Sequence, residues 1–225
     1  MTLATTKSDS QIKADVLNEL KWDSTVDETE VGVQVKNGIV TLTGDISAYP
    51  KKLAAVEAAH RVFGVHDVVD DMKLRIPSMW ERTDADIANA VRNTLKWDVL
   101  VPDDRITTTV ANGAVTLQGT VDSWAQRQDT ERAVQRITGV RGVNNLITVA
   151  SKPADPRLIK QQIEDALERQ AEREAKRIEV SVHDGVATLT GTLRSWGEKN
   201  AVERVAVHAP GVRRIEDKTT VDPYL

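Results

Sequence analysis

Apolar residues recur along this chain in one pattern, written three times. Ile12, Val16 and Leu20 stand at four-residue steps, and so do Ile87, Val91 and Leu95, and Ile159, Ile163 and Leu167. That spacing predicts one buried stripe on a helix. Ser8, Thr83 and Asp155 lie four residues before each stripe and suit an N-cap, with Pro156 at the favoured first helical position of the third copy. Strict alternation follows at Val31, Val33 and Val35, then Asn37-Gly38, then Val40 and Leu42. Asn-Gly between alternating runs predicts a hairpin with a two-residue type I′ turn. Such a turn sets Val35 opposite Val40 and Val33 opposite Leu42, on one face. The same register pairs Val110 with Val115 across Asn112-Gly113, and Val180 with Leu189 across Asp184-Gly185.

A second helical stripe comes next: Ala55, Ala58, Ala59 and Val62 in the first copy, and Val202, Val205, Ala206 and Ala209 in the third. Gly64, Gly139 and Gly211 stand where a helix stop is expected. A last strand alternates through Val68, Met72 and Leu74, through Val143, Ile147 and Val149, and through Ile215 and Val221. Two apolar helix stripes need one apolar sheet face. The fold class predicted is therefore α+β: three tandem two-layer αββαβ domains, each with two helices packed on one face of a three-stranded mixed sheet. The boundaries read are 1–77, 78–152 and 153–225, joined by short linkers containing Pro77 and Pro153, which argue for restricted spacing.

The order of helix, Val-x-Val, Asn/Asp-Gly-x-Val/Ala-x-Leu-x-Gly, helix and glycine stop resembles the BON domain, in all three copies. Tandem copies without other modules are similar to the osmotically inducible OsmY-like proteins. The resemblance implies a binding role, toward phospholipid or envelope components, and brings no catalytic motif. Members of the family are often periplasmic.

Composition narrows the choices. A single Phe and no Cys leave aliphatic cores and exclude disulfides, thiolate metal sites and cysteine nucleophiles. The net charge of −4 creates no basic field for nucleic acid. Met1 to Lys13 is polar, without the apolar run of a secretory signal, and no stretch reaches the length of a membrane span. On this ground the expected location is cytoplasmic.

Chemistry is hard to find. His60, His66, His183 and His208 fall at different repeat positions and at no metal-ligand spacing. Gly38, Gly113 and Gly185 are turn residues without a phosphate-loop Lys-Ser/Thr. Ser123 and Ser195 share no base. No catalytic residue, metal or cofactor is expected, and the chain reads as a non-enzyme.

The aromatic residues are more informative. Tyr49, Trp124 and Trp196 share one position at the entrance of helix two, suited to capping the core or to an apolar contact. Trp22 and Trp97 share another, at the end of helix one, where the third copy carries Arg169. A core position does not readily take an unpaired charge. Trp22 and Trp97 are therefore expected to be exposed, and are the first candidates for contact with lipid or a partner. Trp80, with Met79 in the first linker, is expected to pack between repeats one and two. The run from Leu167 to Arg177 consists of strong helix formers and can lengthen helix one of the third copy. Two functions fit these residues: a binding module for phospholipid or an envelope-associated protein, and a soluble adaptor or structural stress protein acting through three similar surfaces.

Overall fold

The computed structural model describes residues 7–150, 155–170 and 177–225. The expected lengthening of helix one beyond Gln170 and the linker residues 151–154 lie outside them. Each copy runs helix, two antiparallel strands, helix and final strand. The first has α1 (Asp9–Trp22), β1 (Gly32–Lys36), β2 (Ile39–Ile46), α2 (Tyr49–Arg61) and β3 (Asp67–Leu74). The second has α3 (Asp84–Trp97), β4 (Ile106–Ala111), β5 (Ala114–Val121), α4 (Trp124–Gln135), β6 (Gly142–Asn145) and β7 (Thr148–Val149). The third has α5 (Pro156–Gln170), β8 (Ile178–His183), β9 (Val186–Leu193), α6 (Trp196–Val207) and β10 (Arg214–Val221).

Local sequence explains where these elements start and turn. Ser8 and Thr83 form capping boxes with Gln11 and Asp86, the reciprocal arrangement that satisfies two orphan amides at once. Asp155 accepts the amide of Arg157 at 2.9 Å. The three hairpin pairs sit at positive φ in both positions: Asn37 53° and Gly38 74°, Asn112 52° and Gly113 77°, Asp184 47° and Gly185 75°. The resulting register is the predicted one, with Val35 against Val40, Val110 against Val115 and Val180 against Leu189.

The middle strand lies at the centre of each sheet, with orders β1-β2-β3, β4-β5-β6 and β10-β9-β8. β3 runs parallel to β2 after the α2 crossover, and β6 runs parallel to β5 after α4, so these two sheets are mixed. The first core gathers Ile12, Val16 and Leu20 of α1, Val33, Val40 and Leu42 of the hairpin, and Ala55, Ala58 and Ala59 of α2, all buried. Each large aliphatic side chain so buried contributes about 1.5–3 kcal/mol.

One strand departs from expectation. The last strand of the second copy is broken into β6 and β7, both against β5. Arg127 of α4 takes the carbonyls of Ile147 and Asn145 at 3.1 and 2.7 Å, and the Asn145 side chain accepts the Ile147 amide at 3.1 Å. The first copy makes the equivalent bonds, Lys52 to the Met72 carbonyl at 2.8 Å and the Met72 amide to Asp70 at 3.1 Å, within an unbroken β3; the Arg127 bond to the Asn145 carbonyl is the one added in the second copy. Met79 and Trp80, expected to be packed, are 74% and 41% exposed; they ride on a single 3-10 turn, Ser78–Trp80.

By spatial contact the chain forms two compact units: residues 1–76 with 192–200 and 220–225, and residues 77–191 with 201–219.

Candidate functional site

The ends of α1 and α3 carry the clearest surface feature. Leu20 and Leu95 are buried, while two residues on, Trp22 and Trp97 are 86% and 85% exposed. Helix geometry is the reason. Two residues turn about 200°, which swings the next side chain from core to solvent. Asp23 and Asp98 then end the helices in extended conformation.

Those aspartates also brace the turn behind the indole. Asp23 accepts the Thr25 amide at 3.1 Å, and Asp98 accepts the Leu100 amide at 3.0 Å. The Thr25 hydroxyl, more than any other group, holds the Asp23 carboxyl below the usual carboxylate range; burial opposes this, and Arg61 adds to it. Arg61 of α2 bridges Glu19 at 2.6 Å and Asp23 at 2.8 Å, tying the two helix ends of the first copy together.

The second tip is more apolar than the first. Behind Trp97 come Val99, 95% exposed, and Leu100, also exposed. Sequence reasoning missed both, although aligning the copies reveals them. The first copy reads Asp23-Ser24-Thr25-Val26 where the second reads Asp98-Val99-Leu100-Val101. Only the last of each four, Val26 or Val101, is buried. Val99 and Leu100 are thus surplus to the core. Lys21 and Lys96 stand beside the indoles in the last helical turns. In the third copy Arg169 occupies the indole position and is exposed.

The aromatic position at the entrance of helix two is different. Tyr49, Trp124 and Trp196 are all partly covered. The Arg127 guanidinium lies 4.6 Å from the centre of the Trp124 ring. Within the first unit, Trp196 stacks on His60 at 3.9 Å between ring centres and donates its indole N–H to the His66 carbonyl at 3.2 Å. The structure thus separates the five aromatic candidates into two open tips and three half-buried rings.

Among the described residues no group of His, Cys, Asp or Glu is placed to hold a metal ion, and no helix is long and apolar enough to cross a membrane.

Comparison with known proteins agrees with the repeat. The sequence matches the BON domain three times, over residues 8–76, 83–151 and 155–223. It is 30% identical over 143 residues to the osmotically-inducible protein Y of Escherichia coli strain K12, spanning 61% of this chain and 70% of that protein. Among solved structures, the C-terminal domain of CdsD, a structural protein of the type III secretion system of Chlamydia trachomatis, is 13% identical. That alignment covers 96% of this chain and 100% of the other, with a TM-score of 0.26. A second CdsD structure gives 13% identity, 93% and 91% coverage and a TM-score of 0.25.

Proposed function

This chain belongs to the BON domain family, and on that premise we propose that it is a binding protein without enzymatic activity that contacts phospholipid surfaces or envelope-associated partners under osmotic stress. One observation carries the reading: the paired exposure of Trp22 and Trp97 at equivalent helix ends. Indoles suit a boundary that is apolar on one side and wet on the other. A lysine beside each indole is placed to meet a headgroup phosphate while the ring enters the acyl boundary. The relation to the osmotically-inducible protein Y supports the stress context. The second tip is the stronger, because Val99 and Leu100 add apolar surface to the indole.

The adaptor reading draws on the net charge of −4, which opposes approach to an anionic membrane. Co-sedimentation separates the two. Vesicles of phosphatidylethanolamine and phosphatidylglycerol should carry the wild-type chain down and leave the Trp22→Ala/Trp97→Ala variant in the supernatant. Wild-type protein that stays in solution at low and moderate salt rejects the lipid reading and leaves the adaptor.

A further inference from the structure

We propose that the groove between α5 and the end of α6 binds a phosphate group. The groove has a volume of about 380 Å³ and is lined by Gln162, Asp165 and Arg169 from one side and by Arg204, Val205 and His208 from the other. Its size falls within the range of small-ligand sites.

The three copies show how this groove acquired its charge. In the first copy the matching positions hold Glu19, Asp23 and Arg61, and the two carboxylates neutralise the arginine at 2.6 and 2.8 Å. In the third copy Ala166 stands in place of Glu19 and Gln170 in place of Asp23. Both acidic partners are gone. Two arginines have been gained, Arg204 in place of Glu57 and Arg169 in place of Trp22, while His208 stands in place of Arg61. Among the described residues neither the Arg169 nor the Arg204 side chain has an ion-pair partner. Asp165 is the one acid in the lining.

Two unpaired guanidinium groups facing one groove match the geometry of phosphate, since each can offer parallel N–H donors to two oxygens. His208 donates its Nδ1 proton to the Arg204 carbonyl at 2.8 Å and so fixes the imidazole as part of the wall. Ala166, Val205, Ala209 and Pro210 make the rest of the lining apolar. A phosphate ester, with carbon attached, fits such a lining better than the bare ion. The chemistry is shared by a soluble ester and by a glycerophospholipid headgroup. The site involves neither indole tip and does not rest on the reading above.

The test uses the full chain labelled with nitrogen-15. It is titrated first with sn-glycerol 3-phosphate, then with phosphatidylglycerol vesicles against phosphatidylcholine vesicles. Saturable shifts at the amides of Asp165, Ala166, Val205 and Ala209 are expected with the soluble ester. Arg169→Ala/Arg204→Ala should weaken that binding by roughly tenfold or more, the loss of charge-assisted bonds. Ala166→Glu should weaken it as well with both arginines kept, because it restores the acid of the first copy. Arg61→Ala should leave it unchanged. If only phosphatidylglycerol binds, and the arginine variant abolishes it, the proposal stands with lipid as the source. It is overturned if the soluble ester shifts no groove amide and vesicle binding, where present, ignores the arginine variants. Vesicle binding lost in Trp22→Ala/Trp97→Ala but kept in the arginine variants would leave the indole reading intact while removing this one.

Discussion

The Asp9 carboxylate reaches across 29 positions to the hairpin tip and accepts the Gly38 amide at 3.0 Å. Its other oxygen accepts the Asn37 amide at 2.9 Å. Asp84 does the same for Asn112 and Gly113, at 2.8 Å each. One side chain in the first helical turn thus satisfies both amides of a turn that faces away from the sheet ladder. The third copy has Pro156 at this position and no carboxylate to offer. Amide hydrogen exchange should therefore be faster at Asp184 and Gly185 than at the two equivalent pairs. Equal protection at all three tips would show that the carboxylate contributes nothing to the turn.

The same bonds predict an acid response. The Gly38 amide first, and the Asn37 amide next, favour the charged carboxylate and hold Asp9 below its usual range. The sign follows from linkage. A carboxyl depressed in the folded state gives stability that is complete above the unfolded value, about 3.9, and is lost as pH falls through the lower folded value. Asp9→Asn should lower the thermal midpoint at neutral pH, and the gap from wild type should narrow as pH falls toward 2–3. A gap that stays constant down to that pH would exclude the charged form as the source.

Gly119, which closes the repeated motif, faces a harder constraint than the turn glycine. A Cβ there would lie 2.1 Å from the Arg105 carbonyl oxygen, and φ is +138°. The matching Gly44 and Gly191 meet the carbonyls of Glu30 and Arg177 at 2.0 and 2.2 Å. The hairpin's first strand is entered so closely that only hydrogen fits. Gly119→Ala should cost at the upper end of about 1–3 kcal/mol. Gly113→Val should also destabilise, because a β-branched residue resists positive φ. Gly142→Ala, with open space around its Cβ, is the control. Denaturant melts that rank Gly142→Ala with Gly119→Ala would refute the close approach.

How far the fold could be read from sequence differs from feature to feature. The hairpin register was legible because Asn-Gly and Asp-Gly leave one loop length and side chains alternate with period two. The carboxylate of Asp9 was not, since nothing local links a helical aspartate to a turn 29 positions later. The break between β6 and β7 was not legible, because Val143, Ile147 and Val149 alternate just as Val68, Met72 and Leu74 do in the unbroken β3. Exposure at Trp22 and Trp97 was legible only through Arg169, which marks the position as one the core does not own. Val99 and Leu100 were overlooked because apolar residues after a helix look like core until aligned against Ser24 and Thr25.

Folding energetics offer an independent check on the open tips. Replacing Trp22 and Trp97 with Ala should change stability by no more than about 0.5 kcal/mol each, as for surface positions generally. Leu95→Ala, two residues from Trp97, should cost about 2–5 kcal/mol. Chemical denaturation measures both. A loss of several kcal/mol from the tryptophan pair would mean that both rings are structural and would remove them as contact residues.

His60 supplies a second pH dependence with a different window. Its ring lies 3.9 Å from Trp196 and nearly parallel to it, and its Nε2 is buried with no hydrogen-bond partner among the described residues. Burial lowers the imidazole pKa below its ordinary value, and the Asp67 carboxylate offsets only part of that. For a base depressed in the folded state, the unfolded chain takes up its proton first as pH falls. The stability His60 confers is then complete above about 6.5, the unfolded value, and declines as pH drops toward the lower folded value. Thermal melts between pH 8 and pH 5 should show this decline in the wild type. His60→Phe keeps an aromatic ring against Trp196 and removes the titrating group, so its profile should be flatter across the same interval. A variant that loses stability with the same slope as wild type would place the titration elsewhere and assign His60 a packing role alone.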